Sequence, residues 1–509
     1  MKPRQIVFIM TDTTRWDMLG CYGYPDMKTP EIDRLATEGV LYEKAYSCQP
    51  VCGPARSAIF TGKFPHSNGS FTNCVPLWQG VKTVGEYLQP HGIKTAYIGK
   101  WHLDGGDYFG NGICPPGYDP EYWYDMRCYL EELSPEERKH SRTESASLTG
   151  DGVKPEFTFA HRIIDRAIDF LDKSHDDDFF LTISFDEPHQ PYLCPEPYAS
   201  MYEDYELPIT PAYFDTLEGK PVLEKLWAAK MLNEDKTKLR IRPQLFLGCN
   251  SFADHEIGRV LNKLREEYPD AMVVYTSDHG EALDAHSLSL KGPSVYEEIA
   301  HIPMIIKGGA YMKSPENVRY SSVTSHIDLL PTFLDYYGIR IPKELAGVSM
   351  RSIIENPETE KLHDEVFCEF HRYEIDHDGF GGLQFMRAAI SDRYKLAIHL
   401  MDKDELFDCE KDPYELENLI DSEEYSEVRN SLHERILDMM NVTRDPFRGY
   451  QWRCRIWRTD CTPEWECDGY TRQKRTELDE IHELDYDTGL PITEFTRYKK
   501  KAEKPAGTI

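Results

Sequence analysis

Four times along this 509-residue chain a short apolar run breaks directly into a cluster of chemically capable polar residues. Ile6–Met10 leads into "TDTTRWD", Thr95–Ile98 into "GKWHLDGG", Phe179–Phe185 into "DEPHQP" and Met272–Thr276 into "SDHGE". Unbroken apolar runs of this length read as strands. Helical patterns lie between them. In "TPEIDRLATEGV", Thr29 stands at an N-cap and Pro30 at the first helical position. "FTFAHRIIDRAIDFLDKS" and "FADHEIGRVLNKLREEY" space their apolar residues by three and four. Strands alternating with helices predict an α/β domain whose central, mostly parallel sheet is flanked by helices. Ligands of such sheets bind beyond the carboxyl ends of the strands, so all four polar clusters are expected on one edge.

A chain this long exceeds one ordinary core, and its texture changes after about residue 360. "FMRAAISDRYKLAIHL" and "DELFDCEKDPYELENL" read as strand, turn and strand, and "EEYSEVRNSLHERILDMMN" as an amphipathic helix. The expected organisation is a catalytic-size α/β domain over 1–365, a small α+β subdomain over 366–445, and an arm over 446–509. The arm is rich in tryptophan and cysteine, and is expected to pack on its own domain or on a neighbouring subunit, giving a homo-oligomer.

With 58 basic against 88 acidic residues the net charge is −30, which argues against nucleic acid or an anionic membrane as the main partner. The same charge repels an anionic substrate, so such a substrate needs cations gathered locally in a pocket. Ile6–Met10 is too short for the apolar core of a signal peptide, and no segment approaches a membrane span. Thirteen cysteines without regular pairing fit reduced thiols. A cytoplasmic protein is expected, exported only if a leader preceded Met1.

Taken singly, Asp12 and the pair Asp278-His279 read as turn residues at strand ends. On one sheet edge they offer two carboxylates and an imidazole to a divalent cation, with Ca²⁺, Mg²⁺ or Mn²⁺ all compatible. Lys100 and Lys291 alone read as solvated lysines, and His102 and His189 as structural histidines. Gathered beside a cation they make an anion pocket. Cys52, in "VCGPARSAIFTG", stands at a helix start with Pro54 in the first turn, where free N–H groups favour anions. A lowered thiol pKa is expected there, with Arg56 one turn on facing the same side. The position reads as a nucleophile aimed at a cation and an anion.

"CGPAR" followed by "SAIFTG" resembles the sulfatase signature, Cys-x-Pro-x-Arg with Thr-Gly beyond. The resemblance runs in order from "FIMTDTTRWDMLGCYG" through "GKWHL", "SFDEPHQPY", "TSDHGE", "YEEIAHIPMIIKGG" and "SHIDLLPTFLDYYGI" to "LFDCEKDPYELENL", roughly residues 5 to 440. It implies an alkaline-phosphatase-like α/β sandwich with a small C-terminal antiparallel sheet, and a sulfuric ester hydrolase. It implies further that a formylglycine-generating enzyme or anaerobic maturase oxidises Cys52 to Cα-formylglycine, whose hydrate attacks sulfur. Asp12, Asp278, His279 and the residue at position 52 would ligate the cation, with Ca²⁺ favoured. Arg56 would hold the hydrate, and Lys100 and Lys291 would neutralise sulfuryl oxygens. His189 would protonate the leaving oxygen, and His102 would assist breakdown of the sulfated intermediate.

Two departures stand out. Thr13 replaces the second aspartate of many members, and His279 replaces their asparagine. A phosphonate monoester or phosphodiester hydrolase using the same site is therefore a rival reading, and a metal-containing binding protein with unmodified Cys52 is another. The favoured substrate is a sulfated mono- or oligosaccharide. Trp101, Asn73, His371 and Arg372 are pocket-wall candidates from position alone.

Overall fold

The computed structural model describes residues 2–143, 145–229, 243–358, 361–371, 384–458, 484, 486 and 488–490. Eight strands form the main sheet: β1 Gln5–Thr11, β2 Val40–Tyr46, β3 Lys94–Gly99, β4 Trp123–Tyr124, β5 Phe179–Ser184, β6 Met272–Ser277, β7 His301–Lys307 and β8 Val318–Ser325. Their spatial order is β4-β3-β5-β1-β6-β7-β2-β8. All neighbours run parallel except β7, which is antiparallel to both β6 and β2. The four strands expected from the apolar runs are thus consecutive, β3-β5-β1-β6, and their carboxyl ends share one edge.

The apolar runs are continuous because both faces of the sheet are covered. Along β1, Val7 and Ile9 point into one core with Ile164, Phe170, Ile257 and Leu261. Ile6, Phe8 and Met10 point into another with Phe60, Leu330 and Phe333. The period of two in a strand sends alternate residues to opposite faces, so a strand buried on both needs no polar alternation. The covering helices include α1 Pro30–Thr37, α2 Cys52–Thr61, α3 Phe159–Asp172, α4 Gln244–Glu267 and α5 Leu329–Tyr337. Pro30 opens α1 as expected, but the Thr29 side chain makes no cap bond; its hydroxyl donates to Asp33 Oδ1 at 3.1 Å.

A second, antiparallel sheet has the order β12-β11-β10-β9, from β9 Glu365–Phe370, β10 Met386–Ser391, β11 Tyr394–His399 and β12 Glu405–Asp408. Its inner face (Val366, Cys368, Phe370, Met386, Ala388 and Ile390) shares one apolar cluster with Tyr46, Val51, Val295 and Val323 of the main domain. The chain divides into two compact units, Met1–Met439 and Met440–Ile509, with both sheets in the first. In the second, a short helix spans Tyr450–Arg453, and Trp452 Nε1 donates to the Phe447 carbonyl at 2.8 Å. Most of the expected arm, 459–483 and 491–509, lies outside the described residues. Among the described residues no helix is long and apolar enough to cross a membrane.

Candidate active site

The register of the sheet sets the site. Thr11 of β1 pairs with Ser277 of β6, so the next residues, Asp12 and Asp278, emerge side by side. Gly99 of β3 pairs with Ser184 of β5, so Lys100 emerges beside the loop that carries Asp186 and His189. Gly99 has a φ of 129°, and a Cβ there would stand 1.8 Å from the Ser184 carbonyl oxygen, so only glycine lets the strands close up before Lys100. The helix α2 begins at Cys52, with every one of its residues buried, and brings Cys52 and Arg56 to the same edge.

Arg56 clamps the two carboxylates. Its Nη2 donates to Asp12 Oδ2 and its Nε to Asp278 Oδ2, each at 3.0 Å, and Nη1 donates to the Lys100 carbonyl and to Ser184 Oγ at 2.7 Å. Lys100 Nζ stands 2.7 Å from Asp12 Oδ2 and 3.0 Å from Asp186 Oδ1. Cys52 Sγ lies 3.2 Å from His279 Nε2 and 3.7 Å from Asp12 Oδ1. The ligand atoms of Asp12, Cys52, Asp278 and His279 all lie within 4.8 Å of one another, and all four residues are buried. Two carboxylates, an imidazole and the group at position 52 make a donor set that fits a divalent cation.

Charge and burial explain how these groups titrate. Burial, reinforced by the neighbouring Asp12 charge, pushes the Asp278 carboxyl up to about 7. Burial also favours the neutral form of Asp12, but the Lys100 and Arg56 charges outweigh it and hold that carboxyl well below the usual range. Burial and the Lys291 charge take His279 down to about 3, leaving a neutral imidazole able to ligate. Burial first and Asp12 second push the Cys52 thiol up to about 12. This reverses the lowered thiol pKa expected from the helix start: desolvation and an adjacent carboxylate outweigh the helix N-terminus. Nor does Arg56 spend itself on the thiol; four of its hydrogen bonds go to the carboxylates, a carbonyl and a hydroxyl.

His189 Nδ1 is 3.0 Å from the Gln190 carbonyl oxygen, which only accepts, so Nδ1 carries hydrogen. Nε2 then receives Lys291 Nζ at 3.2 Å. Burial, Lys291 and Lys100 hold the imidazole well below its ordinary value, hence neutral. The structure therefore brings Asp12, Cys52, Arg56, Lys100, His189, Lys291, Asp278 and His279 together. His102 is buried nearby, its ring edge-on to Tyr108 at 5.5 Å and its Nε2 3.9 Å from Cys74 Sγ. Thr13 adopts a φ of 72°, a costly conformation for a β-branched residue, and its hydroxyl donates to Asp12 Oδ1 at 2.7 Å.

The pocket-wall candidates fare differently. Asn73 Oδ1 accepts the Gly53 N–H at 2.8 Å and so secures the first turn of α2. Trp101 does not face the site: its indole packs among Phe60, Tyr97, Tyr118 and Trp123 in the core. His371 Nε2 is 3.1 Å from Glu369 Oε1. The same carboxylate holds His66 Nδ1 at 2.5 Å and lies 3.7 Å from Arg387 Nε, so this buried group is already charge-balanced. Arg372 lies outside the described residues. Two residues at the centre of the site, Tyr108 and Asp186, were not singled out from sequence. Asp186 sat unremarked in "DEPHQP", and Tyr108 in the glycine-rich "GGDYFGNG", where no periodicity marks it.

A family model described as Sulfatase matches residues 4–339, and one described as N-sulphoglucosamine sulphohydrolase, C-terminal, matches 292–442. An uncharacterized sulfatase, YidJ, of Escherichia coli (strain K12) is 40% identical over 519 residues, covering 99% of this chain and all of that protein. An N-acetylglucosamine-6-O-sulfatase of Bacteroides thetaiotaomicron is 25% identical, over 87% of each chain. Among solved structures, a phosphonate monoester hydrolase of Agrobacterium radiobacter superposes with a TM-score of 0.70 at 21% identity, over 86% of this chain and 95% of that one; at that identity it shows a shared fold.

Proposed function

The chain belongs to the sulfatase family and is a sulfuric ester hydrolase, and on that premise we propose that it releases sulfate from a sulfated mono- or oligosaccharide, with Cys52 converted to an aldehyde and a divalent cation beside it. The observation that carries this reading is the company Cys52 keeps. In a chain of net charge −30, three cationic side chains (Arg56, Lys100 and Lys291) are buried around one helix start. That is where an anion is needed and nowhere that solvation would put them.

The hydrated aldehyde supplies the nucleophile. Asp12, Asp278 and His279 would hold a cation such as Ca²⁺, Mg²⁺ or Mn²⁺, which supplies Lewis-acid polarisation of the attacking and sulfuryl oxygens. The chain's own residues do the rest. Lys100 and Lys291 place fixed positive charge where negative charge grows on the sulfuryl oxygens, already desolvated and oriented. His189 Nε2 is the atom that would pass a proton to the leaving oxygen: Nδ1 already holds its hydrogen against Gln190, and Nε2 would take one up when the charge of a bound sulfate ester offsets Lys291 and Lys100. Arg56 keeps Asp12 and Asp278 at ligand spacing. His102 is the second base of the site.

Support for a sugar substrate comes from the N-acetylglucosamine-6-O-sulfatase, which shares 25% identity across most of both chains. A phosphonate ester hydrolase is the second reading, favoured by the imidazole of His279 and the hydroxyl of Thr13 where many sulfatases carry asparagine and aspartate. A sulfate-release screen across position-defined sulfated mono- and disaccharides, run beside an aryl sulfate and an aryl phosphonate ester, tests both. Sulfate release from a saccharide supports the first reading. Turnover of the phosphonate alone overturns it.

A further inference from the structure

Tyr108 stands where three working groups of the site meet. It is buried, its hydroxyl hydrogen-bonds Asp186 Oδ1 closely, and the same oxygen lies 2.7 Å from Lys100 Nζ and 3.0 Å from His189 Nδ1. Asp186 Oδ1 is also 3.0 Å from Lys100 Nζ. A phenol has one hydrogen to give and two lone pairs to offer. A carboxylate only accepts, so the hydrogen goes to Asp186 and the lone pairs turn toward Lys100 and His189. Burial, and then the Asp186 charge, hold the phenol well above its ordinary pKa, so it keeps that hydrogen.

The direction of the hydrogen has consequences on both sides. Toward His189 the phenol oxygen can only receive, so it shares the Nδ1–H with the Gln190 carbonyl and leaves Nε2 as the exchanging nitrogen. Toward Lys100 it takes one ammonium hydrogen, which leaves the other two for Asp12 and Asp186. The Lys100 ammonium also lies 4.0 Å from the Tyr108 ring centroid, where the ring's quadrupole favours it. The Tyr108 and His189 rings pack at 5.3 Å, so the imidazole is braced by contact as well as by its hydrogen bond.

We propose that Tyr108, oriented by Asp186, is a positioning residue of the reaction: it fixes the tautomer and ring angle of the proton donor His189 and the aim of Lys100. The inference rests on the sulfatase reading, in which His189 protonates the leaving oxygen. Mere packing would predict that losing the phenol oxygen affects every substrate alike. A role through His189 predicts dependence on the leaving group, because an alcohol needs a proton as it departs and a nitrophenolate does not.

The test uses full-length enzyme carrying the aldehyde at position 52, as wild type, Tyr108→Phe and Asp186→Asn. Each is assayed on 4-nitrophenyl sulfate and on the sugar sulfate the wild type turns over best. Both variants should lose about tenfold more kcat/KM on the sugar sulfate than on the nitrophenyl ester, mostly in kcat, while melting with the wild type. The remaining loss, equal on both substrates, reports Lys100. Equal losses on the two substrates throughout, or no loss in Tyr108→Phe, overturn the inference while leaving the sulfatase reading intact. A wild type that releases sulfate from neither substrate overturns the reading and the inference with it.

Discussion

Cys52 Sγ lies 3.2 Å from His279 Nε2, inside a shell that leaves neither residue any exposed surface. The thiol is pushed up to about 12, chiefly by burial, so at neutral pH it is not a thiolate. That combination suits a residue altered before the fold closes over it.

The first prediction concerns that order of events. In folded, unmodified protein at pH 7, iodoacetamide should leave Cys52 unalkylated, and a maturing enzyme added to it should produce no aldehyde. The same treatments of the unfolded chain should modify it. Peptide mass spectrometry reads both, since the aldehyde residue differs from cysteine by loss of H₂S and gain of one oxygen. Aldehyde formation in the folded chain would show that the shell opens.

A second prediction concerns Arg56, which has no exposed side-chain surface and pairs with both Asp12 and Asp278. Arg56→Ala leaves two buried carboxylates facing each other with one lysine nearby. A loss of about 3–5 kcal/mol is expected in urea melts of chelator-treated protein. Arg56→Lys should recover little, because one ammonium cannot reach both carboxylates in the plane of a guanidinium fork.

The third concerns the cation. The carboxylates favour a divalent ion that the unfolded chain cannot bind well, so adding Ca²⁺, Mg²⁺ or Mn²⁺ to chelator-treated protein should raise Tm with the logarithm of concentration. Asp278→Asn should flatten that response. An equal response in wild type and variant would place the ion elsewhere.

The positions of the strands carrying the site were legible because a doubly covered strand must be apolar throughout and must then break into polarity where it leaves the core. β1, β3, β5 and β6 announce themselves this way. β2, with Glu43 and Lys44 inside "VLYEKAY", does not, and its partner β7 reverses direction without any local mark. The ligand and cation residues were legible as types at strand ends. Their pairing was not, because it depends on register across β1 and β6. The thiol pKa failed for the same reason: a helix start is visible in sequence, whereas the carboxylate 3.7 Å away comes from forty residues earlier. Trp101 shows the limit of reading position alone, since its indole joins the aromatic cluster of Phe60, Tyr97, Tyr118 and Trp123 although its neighbour Lys100 lies in the site.

The last prediction is the pH dependence of stability, and it is set by the loop between His279 and Lys291. Leu283, Asp284, His286, Ser287 and Leu290 all have φ between 44° and 65°, an unfavourable concentration of left-handed non-glycine residues. His286 anchors this loop. Its Nδ1 is 2.7 Å from Asp215 Oδ2, its Nε2 is 3.7 Å from Glu298 Oε2, and its ring stacks on Tyr296 at 3.7 Å. Lys220 Nζ reaches Asp215 at 2.5 Å. Burial opposes charge on all three groups, but they hold one another charged: Asp215 and Glu298 each fall to about 2, and His286 rises. The lowered carboxylates stabilise the fold above their unfolded values, and each loses about 2–3 kcal/mol as pH falls from about 4.5 toward 2. The raised histidine stabilises it fully below about 6.5, and that contribution disappears as pH rises through its folded value. Stability should therefore peak between these limits. His286→Gln should flatten the alkaline limb of a Tm–pH curve and Asp215→Asn the acid limb. Because the loop also carries Lys291, His286→Gln should reduce turnover at temperatures well below its own melting point. A curve unchanged on both limbs would mean that the loop is held by something other than this charge cluster.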